Sequence, residues 1–149
     1  MSAFYVLLIA IAAIASYVII GLRLMHLCNA SGVGNGWFSF IPLLAETRMA
    51  RLAGANPWLV ILAIIPVVNI AFAVLRWIWL WRISGHTQAR QWWWVSLLGP
   101  IGIGVAFGIF SGGGFMTFAV YLIGIAIMTY AIATIFNPMK AIPGVADNS

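Results

Sequence analysis

Apolar residues run in four long stretches along this chain, at 3–22, 57–81, 92–110 and 115–136, and polar residues gather between them. About 20 consecutive apolar residues cross the hydrocarbon core of a bilayer as a helix. No stretch alternates apolar and polar residues as a strand does. The pattern predicts an all-α integral membrane protein with four membrane-embedded helical segments in one domain, 1–136, followed by a mobile tail, 137–149. The first stretch carries a cleavage-like triplet, Ala13, Ile14 and Ala15, but stays apolar through Leu22 and reads as a retained span.

A shorter element precedes the second stretch. Pro42 and Gly54 bracket a helix of about 42–53, with proline inside its start and glycine past its end. Arg48 and Arg51 share one face of it and Glu46 points away, which predicts a short interfacial helix in contact with lipid or a partner.

The second stretch, PWLVILAIIPVVNIAFAVLRWIWLW, is the least regular. Pro66 removes a backbone donor, and Asn69, one turn later, could hydrogen-bond backbone freed at the proline. Trp77, Trp79 and Trp81 crowd its end, as tryptophans do at the membrane–water interface. Arg76 lies inside them and must snorkel to the headgroups or pair, with Glu46 or with a carboxylate of another subunit. The length suits one tilted span. A re-entrant hairpin turning at 66–69 is the alternative, and it would place every basic loop on one side of the membrane.

The third stretch is rich in glycine. Gly99, Gly102, Gly104 and Gly108 predict a close helix–helix contact, with Gly104 and Gly108 at G-x-x-x-G spacing. They do not form a phosphate loop, because no strand precedes them and no Lys-Ser/Thr pair follows.

Composition strengthens the membrane reading. Only 6% of the 149 residues are charged, against about 25% in soluble domains. The seven Lys and Arg residues outnumber two acids, yet they are scattered beside apolar stretches, where they set topology; no nucleic-acid footprint is present. Cys28 is the single cysteine, so no intrachain disulfide forms. His26 and Cys28 have no metal-ligand spacing. No base stands beside a nucleophile and no two carboxylates are neighbours, so the sequence predicts no enzyme, no cofactor and no metal site.

Short motifs add a resemblance. Gly36 and Trp37, then Ile41 and Pro42, then Pro57 and Trp58, then the run IPVVN from Ile65 to Asn69 occur in the order seen in one group. The chain resembles, over about 22–108, a family of small bacterial membrane domains of uncharacterised function, found alone or fused ahead of signal peptidase catalytic domains. It departs from that family at Leu43 and Leu44, where Tyr-Asn is common, and at Ile83 to His86, where Phe-Gly-Lys is common. The peptidase Ser–Lys pair is absent, so the resemblance does not imply peptidase activity; it implies a bacterial multi-pass membrane protein.

These features together predict a non-catalytic accessory or assembly subunit of a larger bacterial inner-membrane complex. Its partners would be membrane lipids and other membrane subunits, or further copies of itself. A small transporter or channel using the break at Pro66 and Asn69 is the alternative.

Overall fold

The computed structural model describes residues 3–65, 68–109 and 115–143. Among these the chain is helical without strands: α1 Ala3–Ala30, α2 Pro42–Leu52, α3 Asn69–His86, α4 Arg90–Ile109 and α5 Phe115–Ile135. Two 3-10 helices, Gly36–Phe40 and Pro57–Ala63, precede α2 and α3. Two of the helices, α1 and α5, are long and apolar enough to cross a membrane.

α5 lies between α1 and α4. It runs parallel to α1, since Tyr5 stacks on Phe118 with ring centroids 4.8 Å apart and Ser16 hydrogen-bonds Thr129 further along. It runs antiparallel to α4. A Cβ on Gly99 would collide with Met128, and one on Gly124 would stand 2.7 Å from Ile103 Cγ1. Each helix thus offers a glycine notch to a side chain of the other, the close van der Waals fit that joins helices in lipid.

Two hairpins fill the space beside these helices, both at the end carrying the α1 C-terminus. The first begins where Gly32, at φ 76°, ends α1: its N–H reaches the Asn29 carbonyl and the Val33 N–H that of Cys28. This is a Schellman cap, and its left-handed residue costs glycine little. The chain then doubles back along α1. The Gly36 position sits against the Met25 carbonyl, the Phe40 ring lies on Gly21, and Tyr17 donates to the Phe40 carbonyl. α2 returns, with the Arg48 guanidinium 4.9 Å from the centre of the Phe38 ring.

The second hairpin corrects the expectation of one helix over 57–81. Asn56 caps the first 3-10 turn by accepting from the Trp58 N–H at 3.0 Å. The second helical element starts only at Asn69. Pro66 and Val67 lie outside the described residues; a proline there has no N–H to carry a helix across the join. The two ends of the stretch meet, because Arg82 Nη1 donates to the Ala53 carbonyl at 3.3 Å. At the turn, Ile64 and Ile70 are 63% and 78% exposed.

The core lies where the hairpins meet the long helices. Leu27, Cys28, Leu52, Trp79, Ile83 and Ile135 are each almost wholly buried there. Trp79 is therefore a core residue, edge-on to Phe72 with centroids 5.8 Å apart, and not an interfacial ring. Part of the expected mobile tail is packed as well: Ile142 is buried and its N–H donates to Ser31 Oγ at 2.9 Å. The remainder, 144–149, lies outside the described residues.

Candidate functional site

The hairpins bring four polar residues to one place. α2 supplies Glu46, the first 3-10 helix Ser39, α1 Tyr17 and α3 Arg76; all four line a cavity of about 340 Å³ with otherwise apolar walls. Glu46 Oε1 and Arg76 Nε stand 3.1 Å apart, an ion pair between the two hairpins. It is the pairing the sequence offered as one answer for Arg76. Glu46 Oε2 and Ser39 Oγ are buried without a hydrogen-bond partner. Burial raises the Glu46 carboxyl above its ordinary value, and the Arg76 charge opposes that rise.

A second cleft, of about 290 Å³, opens on the other side of Arg76 between α3, α4 and α5. Asn69, Arg76, Ser96 and Pro100 line it. Pro100 stands inside α4 and has no N–H, so the Ser96 carbonyl lacks its usual helical donor. The Ser96 hydroxyl donates to the Trp93 carbonyl at 2.7 Å, one turn back. Arg76 thus forms a wall shared by both cavities, and its side chain is 53% exposed.

The other expected site residues separate. Arg48 is 7% exposed beneath Phe38, so its guanidinium is not presented to lipid phosphate; the fold-back of the first hairpin covers it. Burial and the neighbouring Arg51 both lower its pKa. Arg51 stays partly exposed. Of the four glycines, Gly99 packs against α5, whereas no described atom stands within 4 Å of a Cβ placed on Gly102, Gly104 or Gly108. Sequence reasoning missed Tyr17, Ser39 and the notch glycines Gly21 and Gly124. A small residue inside an apolar helix was the available signal for the last two.

Chemically, the cavity offers a carboxylate, a guanidinium and two hydroxyls. Among the described residues no group of three or more His, Cys, Asp and Glu side chains is placed to hold a metal ion. Comparison with protein-family models, curated proteins and solved structures returns no match for this chain.

Proposed function

We propose that this chain is a multi-pass protein of the bacterial cytoplasmic membrane and a non-catalytic accessory or assembly subunit of a larger membrane complex. In this reading α1, α4 and α5 cross the bilayer, and the two hairpins enter it from one side and return. The chain would belong with the small bacterial membrane domains it resembles.

The supporting observation is the unfilled face of α4, where Gly104 and Gly108, one turn apart, meet no other part of the described chain. Such a face suits the backbone of a second transmembrane helix. Charge supports the orientation. Arg23 lies toward the α1 C-terminus, Arg51 ends α2, Arg82 touches Ala53, and Lys140 Nζ donates to Gln88 Oε1 at 2.8 Å beside Arg90. Basic residues gathered at one end make that end cytoplasmic.

Purification of the wild-type chain from its native membrane in mild detergent tests the proposal. A defined membrane partner, lost in Gly104→Leu and Gly108→Leu, is the expected result. A chain that purifies alone and whose glycine variants behave like wild type overturns it. The cleft lined by Asn69, Arg76 and Ser96 favours a second reading, a small transporter, because polar groups in a membrane commonly line solute paths. Solute flux in liposomes that is lost in Asn69→Leu would select that reading.

A further inference from the structure

The turn between α3 and α4 assembles a cationic concavity outside the cavities above. α3 ends in a second Schellman arrangement: the Ala89 N–H reaches the Ser84 carbonyl at 2.8 Å, and Gln88 takes φ 57°. The reversal places Arg82, His86 and Arg90 around an open hollow of about 510 Å³, with Trp81 and Gly85 completing its wall. The Arg90 guanidinium lies 4.4 Å from the centre of the Trp81 ring. Gly85 is what admits it there, since a Cβ at that position would stand 2.9 Å from Arg90 Nη2. Arg82 is steadied by its hydrogen bond to the Ala53 carbonyl.

Arg82 and Arg90 have no carboxylate neighbour among the described residues. The ion pair found there joins Glu46 to Arg76, in the other cavity. Arginine forks match phosphate oxygens in pairs, and a guanidinium held over an indole ring, which accepts no conventional hydrogen bond, keeps N–H groups free for such an acceptor. Trp81 is 42% exposed beside them, at the end of the chain where basic residues collect. Basic hollows between helices on the cytoplasmic side of a membrane suit anionic lipid headgroups.

The geometry points to a binding site for the phosphate of an anionic phospholipid, formed by Arg82, His86 and Arg90. This rests on the membrane reading above. The site is a shaped one: a Cβ at residue 85 would stand 2.9 Å from Arg90 Nη2 and make the guanidinium shift.

The test uses the full chain in nanodiscs of zwitterionic phospholipid doped with phosphatidylglycerol. Native mass spectrometry then counts the phosphatidylglycerol kept by each released protein. Wild type is expected to retain it, and Arg82→Gln and Arg90→Gln each to weaken retention about fivefold. Gly85→Ala changes no charge but displaces Arg90, and should weaken retention similarly. Arg23→Gln removes a basic group on α1, away from the hollow, and should leave retention at the wild-type level. Equal loss in Arg23→Gln, or none in Gly85→Ala, reduces the effect to general surface attraction and overturns the site. Displacement of the lipid by millimolar inorganic phosphate overturns the lipid as its occupant. A chain that inserts but shows no preference for phosphatidylglycerol overturns this inference alone, whereas one that fails to insert takes the membrane reading down with it.

Discussion

Arg82 hydrogen-bonds the carbonyl of Ala53 across 29 residues of sequence, and between them lies a stretch long enough to cross a bilayer. A straight helix over 57–81 would extend about 37 Å at 1.5 Å per residue, which would hold those two residues far apart. Their contact makes the stretch a hairpin. It also brings Arg51, Arg82 and Arg90 to the same end of the molecule as Lys140.

Cysteine labelling in intact cells reads this arrangement directly. Cys28 is wholly buried, so Cys28→Ala gives a background without a new buried hydroxyl. Single cysteines at Ala30 and His86, both exposed, should be equally protected from an impermeant reagent added outside. A cysteine at Ala3 should be labelled. Opposite accessibility of positions 30 and 86 would refute the hairpin topology.

Gly124 of α5, which faces α4, and the glycine pair on the open side of α4 should respond differently. Gly124→Leu drives a side chain into Ile103 and should destabilise the isolated chain by about 1–3 kcal/mol. Gly104→Leu and Gly108→Leu meet open space within the described chain and should leave its melting in detergent unchanged, while disrupting association with a partner. Thermal melts of the purified chain beside co-purification yields separate the two effects. Equal destabilisation by all three substitutions would place the 104 and 108 face inside the chain's own packing.

Glu46 links the cavity to pH. Burial raises its carboxyl pKa above the ordinary value of 4.5, and Arg76 lowers it in part. In the window above 4.5 the folded chain therefore holds a proton that the unfolded chain has released, and stability falls as pH rises through that window. Arg76→Gln removes the opposing charge and should extend the window upward. An infrared band of the protonated carboxyl, assigned by its loss in Glu46→Gln, should titrate above 4.5 in wild type and higher still in Arg76→Gln. The reverse order of the two midpoints would contradict the ion pair.

The loop after α1 offers a paired comparison. Gly32→Ala must hold a side chain at φ 76° and should cost about 1–2 kcal/mol. Gly34→Ala, with no neighbour within 4 Å of its Cβ and no positive φ, should be close to neutral. Chemical denaturation in detergent measures both. Equal costs would mean that the Schellman turn at Gly32 is not the conformation in solution.

Helical class, the apolar character of α1 and α5, and the bracketing of α2 by Pro42 and Gly54 were legible along the chain. Each depends on local composition or on residues one or two turns apart, and so on physics that reads out in sequence order. The direction of the 57–81 stretch was not legible that way. A hairpin and a tilted span bury the same apolar side chains in lipid, so hydropathy weighs them almost equally. Contacts between distant residues decided between them: Arg82 with Ala53, and Glu46 with Arg76. The same holds for the glycines. Spacing singled out Gly104 and Gly108, yet only the packed structure shows that Gly99 and Gly124 receive side chains within the chain while the spaced pair stands open. A notch is defined by the neighbour that fills it, and tertiary structure supplies that neighbour.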